Sequence, residues 1–266
     1  MQKKLKIVAL CLIILVGGAG FLNWLENYQH EKQFKAFNES QHVKTRIIIP
    51  TYNQKTEGYP LGCEGVSLYM AMRGMGYLED MDLKSFMKTM PHADNPLFGY
   101  WGDETKGRKF NGDKRTTIYP EPLSSWGSKY SDGHVVNGSG STVEQLKEEL
   151  DLGHPIVVYV TSGWSKPKWK NYSFGSAVTN NHVVCLVGYN ESGDYLINDC
   201  SGSRNGEYWI SQDLFENCYK VRHMAVIVTG SLPETKIALN DTGDYLLEFE
   251  KQPDVLPDGN TLDVQQ

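Results

Sequence analysis

Four apolar runs of strand length occupy the second half of this 266-residue chain and constrain its fold more than any other feature. Glycine, asparagine, aspartate or serine bound them, as is usual for β-strands. The runs are Pro155–Val160, His182–Gly188, Asp194–Asp199 and Met224–Val228. The short segment Tyr189–Gly193 separates the second run from the third, which predicts an antiparallel hairpin. An earlier run, Arg46–Pro50, predicts one more strand, ended by proline.

Helical patterns precede most of these strands. Gly65–Gly74 suits a largely buried helix that ends near glycines, and residues 82–90 suit a second, shorter one. Ser141 and Glu144 form a capping-box signature for a helix over 142–152, and another short helix should follow Ser211. Residues 91–139 show no clear period. Helices followed by strands predict an α+β fold in one domain, a helical N-terminal part followed by a twisted antiparallel sheet.

The N-terminus has the pattern of an export segment. Lysines at positions 3, 4 and 6 precede an uncharged stretch from Ile7 to Leu25, which suits either a signal peptide or a membrane anchor. Residues 1–25 are therefore expected to direct the rest of the chain outside the membrane. The protein is then anchored in the cell membrane with an extracellular domain, or secreted. A stalk over 26–44, a domain over 45–230 and an acidic flexible tail over 231–266 complete the expected organisation.

Charge and composition argue against several classes of partner. The net charge is −6, so no basic excess suggests nucleic acid. We find no phosphate-binding glycine loop and no closely spaced Cys and His ligands, so no cofactor and no metal is expected. Membrane contact is expected through the N-terminal segment alone. The expected molecule is a monomer that acts on a peptide or protein substrate.

Cys63 is the best candidate nucleophile because it lies at the N-terminus of the helix predicted from Gly65. A helix N-terminus and an imidazolium both favour the thiolate, which is the reactive form. His182, about 120 residues later, begins the predicted central strand and can serve as the base. A single cysteine at a helix start is more often structural, so the assignment depends on the partner residues.

Two further groups complete the candidate site. The third catalytic group must orient the imidazole, and Asp199 or Asn198 can do so at the end of the strand expected to pair with that of His182. Successive strand residues point to opposite faces, so one of the two faces the histidine, and Asp199 is preferred. Gln54, just ahead of Cys63, can supply an amide donor for the oxyanion.

Several sequence blocks resemble the stand-alone C39-like peptidase domains of bacteria. The blocks, in order, are Tyr52-Asn53-Gln54, Tyr59-Pro60-Leu61-Gly62-Cys63-Glu64, Ser67-Leu68-Tyr69-Met70, Phe98 to Asp103, Phe110-Asn111-Gly112, Gly153 to Val158, His182-Val183-Val184, Gly188-Tyr189 and Asn198-Asp199. They span about Ile47 to Val228. The resemblance implies a papain-like fold in which Gln54, Cys63, His182 and Asp199 are oxyanion donor, nucleophile, base and orienting acid.

One position departs from the pattern of that family. Cys200 follows Asp199 where the family usually has proline, which alters the turn after the acid. Cys200 and Cys218 could also form a disulfide in an extracellular protein, although two thiols do not establish one. Trp164, Trp169 and Tyr172 could border a peptide groove or cover the edge of the core.

Two function classes follow. The first is a thiol hydrolase that cuts peptide bonds through an acyl-enzyme with a Cys-His-Asp triad; an amidase or transferase on cell-wall peptide would use the same chemistry. The second is a catalytically inactive papain-like module that binds a peptide or wall component. The complete Gln, Cys, His and Asp set favours the enzyme.

Overall fold

The protein is represented by a computed structural model that describes residues 28–29, 31–202 and 206–230, together with the strand backbone at 236–239 and 245–248. The expected export segment at 1–25 lies outside the described residues. Residues 1–41 and 42–266 form two separate units. In the first, residues 31–39 form helix α1, within the expected stalk. Each described helix is too short or too polar to cross a membrane.

The described part of the second unit contains six α-helices. They are α2 Cys63–Gly74, α3 Leu83–Met87, α4 Arg108–Asn111, α5 Pro120–Ser128, α6 Val143–Asp151 and α7 Gln212–Tyr219. The helix that begins at Cys63 has a continuous buried stretch from Cys63 to Met72, as its apolar sequence predicts. Helix α5, with proline in its first turn, forms in the stretch where the sequence shows no clear period.

The predicted capping box exists but lies one residue further along the chain. The Thr142 side chain accepts a hydrogen bond from the Gln145 N–H, and the Gln145 side chain accepts one from the Thr142 N–H. Ser141 and Glu144 were the expected pair. Both pairs have the required three-residue spacing, so sequence alone did not distinguish them.

Among the described residues, nine strands form one sheet, and the two-stranded β4–β5 hairpin lies apart from it. The described strands are β1 Val43–Ile47, β2 Val135–Asn137, β3 Ile156–Thr161, β4 Trp169–Tyr172, β5 Gly175–Val178, β6 Asn181–Asn190, β7 Tyr195–Asn198, β8 Glu207–Ile210, β9 Ala225–Val228, β10 Lys236–Leu239 and β11 Tyr245–Glu248. The predicted hairpin is β6–β7. The antiparallel prediction is confirmed for the strand pairs of the body, and β1 with β11 is a parallel pair.

Strand β6 is the centre of this sheet. One of its edges pairs with β3 along the first half and with β1 along the second half, while β7 pairs with the other edge. Helix α2 packs against β6, where the Ser67 hydroxyl donates to the Val183 carbonyl and the Cys185 thiol donates to the Ser67 carbonyl. This packing places the start of α2 beside the start of β6. The fold is therefore the mixed helix and antiparallel-sheet arrangement expected from the sequence.

The last two strands lie in the segment that the sequence indicates to be an acidic tail. Strand β10 pairs with β11, and β11 pairs with β1. Short apolar stretches such as Tyr245-Leu246-Leu247 interrupt the acidic residues and supply the strand-forming side chains. The rest of 231–266 lies outside the described residues.

Candidate active site

Three element ends meet at one pocket of about 420 Å³. Cys63 is the first residue of α2, His182 lies at the start of β6, and Asp199 immediately follows β7. All three border the pocket, as does Gln54. The structure therefore brings together the four residues that the sequence analysis selects.

The His182 imidazole is held by Asp199. His182 Nε2 lies 2.7 Å from Asp199 Oδ1, which leaves Nδ1 for a proton of the nucleophile. The same Asp199 oxygen accepts from the Ser201 N–H at 2.8 Å, and Oδ2 accepts from the Tyr208 hydroxyl at 2.9 Å. Burial alone would raise the pKa of Asp199, but the hydrogen bond and charge of His182 outweigh it and lower the pKa to about 2. Asp199 is therefore ionised at neutral pH.

Asn198, the alternative third residue, faces away from the histidine. Its Oδ1 accepts from the Thr51 hydroxyl at 3.0 Å, and its Nδ2 donates to the Ile49 carbonyl at 3.4 Å. The strand alternation therefore resolves in favour of Asp199 at this position.

Tyr208 is a site residue that the sequence analysis missed. Its hydroxyl donates to Asp199 and accepts from the Trp164 indole N–H at 3.1 Å. Both aromatic side chains are buried at the pocket wall. Trp164 thus belongs to the site, whereas Trp169, also considered as a groove residue, is 54% exposed on β4. A lone tyrosine in a strand carries no signal of such a role.

The Cys63 thiol contacts Glu64 in this structure. Cys63 Sγ donates to Glu64 Oε2 at 3.3 Å, and no hydrogen bond joins it to His182 among those of the described residues. Burial raises the pKa of Cys63 well above its ordinary value, and the adjacent Glu64 carboxylate raises it further. These effects oppose the helix N-terminus, which favours the thiolate. The arrangement is a resting state with a neutral thiol.

Glu64 is a second residue whose importance the sequence did not reveal. It is 1% exposed, and its Oε1 accepts hydrogen bonds from the Thr117 hydroxyl and from Asn181 Nδ2, the latter at 3.3 Å. Asn181 Oδ1 in turn accepts from Arg222 Nη1 at 2.6 Å. Burial raises the pKa of Glu64. The one signal that the sequence offered for Glu64 was a charged side chain within a helix that is otherwise predicted to be largely buried.

Gln54 has the geometry of an amide donor. It is buried, and its Nε2 donates one hydrogen to the Pro60 carbonyl at 2.8 Å, which leaves the second for an incoming oxygen. Its Oε1 accepts from the Cys200 thiol at 3.1 Å. The Pro60 and Cys200 contacts together fix which end of the amide carries the N–H groups. The thiol that replaces the usual proline therefore helps to orient the expected oxyanion donor.

The cysteines with described side chains carry no disulfide. Cys63, Cys185, Cys200 and Cys218 are free and buried. Cys218 lies against Thr161 Oγ1 at 3.2 Å, while Cys200 contacts Gln54 and Ser67. The disulfide that the sequence allowed between Cys200 and Cys218 is absent, because the two thiols occupy different packing environments.

Comparisons with known proteins agree with this arrangement. The profile of the Peptidase C39 like family matches residues 46–226. The protein YvpB of Bacillus subtilis (strain 168), whose function is uncharacterised, is 25% identical over 171 residues. That match covers 60% of this chain and 65% of YvpB, so the chain spans less than two thirds of this relative.

A solved structure has the same fold. The crystal structure described as a C39-like peptidase from Bacillus anthracis matches with a TM-score of 0.60 and 20% identity. The match covers 71% of this chain and 98% of the other. At that identity the likeness establishes the fold alone.

Proposed function

This chain belongs to the Peptidase C39 like family, and from that premise we propose that it is a cysteine peptidase that hydrolyses peptide bonds through a thiol acyl-enzyme. The observation that carries the proposal is the His182 Nε2 to Asp199 Oδ1 contact of 2.7 Å beside a pocket that Cys63 also borders. A base held in one tautomer next to a nucleophile is the arrangement that acyl transfer requires.

The proposed reaction has two halves, the acylation of Cys63 and the hydrolysis of the resulting thioester. Cys63 transfers its proton to His182 Nδ1 while Sγ attacks the substrate carbonyl, and Asp199 stabilises the imidazolium. The Gln54 Nε2–H and a backbone N–H at the start of α2 hold the oxyanion. His182 then protonates the leaving amine as the C–N bond breaks, which leaves a thioester. Water, deprotonated by His182, hydrolyses the thioester and releases the acid and the thiol.

Attack requires the thiol to leave Glu64. In the resting arrangement Cys63 Sγ donates to Glu64 Oε2. Rotation about the Cys63 side-chain torsion exchanges this acceptor for the imidazole, and staggered rotamers make that a discrete step. We therefore propose that productive substrate binding selects the rotamer that faces His182.

The proposal is tested by incubating the full chain, in mild detergent, with a diverse peptide mixture and detecting new N-termini by mass spectrometry. Cys63→Ser should lose cleavage, whereas Cys218→Ser, which changes another buried free thiol, should keep it. Both variants must retain the wild-type melting temperature. Equal cleavage by the wild type and Cys63→Ser would overturn the proposal.

A peptide-binding module without activity is the second candidate function. The contact of the Cys63 thiol with Glu64, together with the raised pKa of Cys63, favours it because neither promotes a thiolate. The same peptide mixture separates the two functions. A binding module would retain peptides on the wild type and on Cys63→Ala alike and would produce no new N-termini from either.

We also propose that the domain acts outside the membrane. Support comes from the three N-terminal lysines and the uncharged stretch Ile7–Leu25. In a bacterial host, protease added to intact spheroplasts should degrade the full-length protein but spare a variant that lacks residues 1–25. Protection of both forms would contradict this location.

A further inference from the structure

The active-site pocket carries positive charge although the whole chain has a net charge of −6. Lys55, Arg108 and Arg115 border it. An adjoining pocket of about 210 Å³ shares Arg108 and Arg115 and adds Lys114 and Lys170. The two pockets adjoin, because they share lining residues, and we treat them together. We call the pair the basic groove and define it by these five cationic residues.

The carboxylates that border the basic groove are already engaged. Asp199 is bound by His182, Ser201 and Tyr208. Asp113 binds Lys170 Nζ at 3.0 Å. The lining residues thus comprise five basic side chains and two carboxylates. An excess of one sign in a cleft attracts ligands of the opposite sign.

Arg115 is the central residue of the basic groove. It is 5% exposed, and its Nη2 donates to the Val178 carbonyl at 2.7 Å, yet its buried Nε has no hydrogen-bond partner among the described residues. None of the ion pairs among those residues includes Arg115. Buried arginines usually pair with an anion, since an unpaired buried charge is costly.

Glu64 does not neutralise this part of the site. Arg115 interacts with the Glu64 carboxylate through charge alone, and Arg222 approaches the same carboxylate from behind Asn181. Burial, and after it the charge of Arg115, lowers the pKa of Arg222 to about 10, which leaves it charged at neutral pH. Two buried arginines therefore interact with one carboxylate, so their summed charge exceeds that of Glu64, and Arg115 is the one of the two that borders the pocket.

We propose that the basic groove binds a carboxylate of the substrate and that Arg115 is the residue that binds it. The substrate class is then acidic peptide, with the anion close to the scissile bond. A guanidinium can bind a carboxylate through paired N–H donors, which fixes position as well as charge. In Arg115 the Nε is buried and Nη2 already donates one hydrogen to Val178, so Nη1 and the second Nη2 hydrogen are the donors proposed for the carboxylate. Cleavage of such a peptide rests on the proposed function, but binding of the anion does not.

The first test compares two alkylating probes of similar shape at Cys63 in the full chain. Iodoacetate carries a carboxylate and iodoacetamide is neutral, and both displace iodide with the Cys63 sulfur. Mass spectrometry of the Cys63 peptide gives the two rates, and their ratio corrects for any general change in thiol reactivity. If Cys63 is not an activated nucleophile, both labelling rates will be low. If the groove does not bind an anion, only the ratio of the two rates will show it.

Arg115→Gln should lower the iodoacetate to iodoacetamide ratio about tenfold, and Arg115→Lys should lower it less. Arg108→Gln, at an exposed position of the groove, should lower the ratio by a smaller factor. This variant replaces Arg115→Gln in the test if Arg115→Gln does not fold. The matched control is Arg73→Gln. Arg73 donates to the Leu78 carbonyl much as Arg115 donates to Val178, but it lies at the opposite end of α2, about 15 Å from Cys63.

The ratio should also fall as salt is raised in the wild type, because screening weakens a partly exposed charge interaction. A ratio that is the same in the wild type, Arg115→Gln, Arg108→Gln and Arg73→Gln would overturn the proposal. His182 is present in all four proteins, so the difference among them isolates the arginines.

Matched peptides then identify the source of the carboxylate. Glutamate and glutamine peptides are compared, each with a free or an amidated C-terminus, for protection of Cys63 against iodoacetamide. Stronger protection by glutamate peptides assigns a side-chain carboxylate, and stronger protection by free C-termini assigns a terminal one. Either preference, lost in Arg115→Gln, supports the proposal; equal protection by all four peptides contradicts it.

Discussion

Cys63 experiences opposing influences that are set by single residues. The start of α2 favours its thiolate, while burial and the Glu64 carboxylate raise its pKa. His182 can accept the proton once the thiol turns from Glu64. The reactivity of this cysteine is therefore a balance that one substitution can shift in a known direction.

Glu64→Gln should lower the pKa of Cys63, because a neutral amide does not repel the thiolate as the carboxylate does. The pH profile of iodoacetamide labelling at Cys63 should move to lower pH. Glu104→Gln is the matched control, since Glu104 is also buried but contacts His92 rather than Cys63. An unchanged profile in Glu64→Gln would show that the carboxylate does not govern the thiol.

Asp199→Asn should make the free energy of unfolding less dependent on pH in the acidic range. The pKa of Asp199 is about 2 in the folded protein, against 3.8 for an unperturbed aspartate. Its ionised form therefore stabilises the fold above about pH 4, and this contribution disappears as pH falls towards 2. The variant should lose about 2 kcal/mol in the free energy of unfolding at pH 6 and progressively less below pH 4. Urea unfolding across that range measures it. Asp213→Asn, at an exposed position on α7, removes a charge without touching His182; a similar pH trend in both variants would contradict the assignment.

Cys200→Ala should impair turnover through Gln54. Without the thiol contact to Oε1, the amide of Gln54 can rotate and present the wrong end to the oxyanion. We expect kcat on an identified peptide to fall about tenfold with little change in KM, since the interaction matters in the transition state. Cys200→Ser restores a donor and should recover most of kcat. A loss confined to KM, or no rescue by serine, would refute this role.

At the scale of elements, β6 connects the site to the rest of the sheet. It carries His182 as its second residue, pairs with three strands and approaches β1 closely at Gly188. A Cβ at Gly188 would lie 2.1 Å from the Thr45 carbonyl oxygen, a backbone atom that cannot move without β1. The glycine thus permits the close approach of the two strands.

Gly188→Ala should therefore destabilise the fold by about 3 kcal/mol, as measured by the free energy of unfolding. Gly138→Ala is the comparison, because a Cβ there would contact side-chain atoms alone: Ile227 Cδ1 at 2.7 Å, Ile227 Cγ1 at 2.8 Å and Ala225 Cβ at 3.6 Å. It should cost less than about 1 kcal/mol. Equal losses in the two variants would mean that the backbone contact with Thr45 is not the determinant.

The elements show which sequence signals sufficed. Long apolar runs predicted β3, β6, β7 and β9, and they predicted α2, because burial leaves a clear pattern. Strand β8 and helices α4 and α5 were missed, since short elements with mixed polarity form through tertiary contacts that no local pattern records. The capping box shifted by one residue for a different reason, since two neighbouring pairs have the same three-residue spacing.

At the scale of the whole molecule, sequence could name the Cys, His, Asp and Gln set because each lies in a motif or at an element end. It could not reveal Glu64, Tyr208 or Arg115, whose roles depend on what the fold places opposite them. Glu64 accepts hydrogen bonds from Cys63 and Thr117, and Tyr208 donates one to Asp199. The positive charge of the pocket was likewise hidden, because the net charge of the chain is negative.

The central claim is that His182 activates Cys63, and the most direct test is the rate of iodoacetamide labelling at Cys63 in the full chain between pH 5 and pH 10, in the wild type and in His182→Ala. We predict faster labelling in the wild type throughout about pH 6 to 8, with the variant reacting only where a thiol ionises unaided, above about pH 8. Coincident profiles in the two proteins would contradict the claim and favour the peptide-binding module.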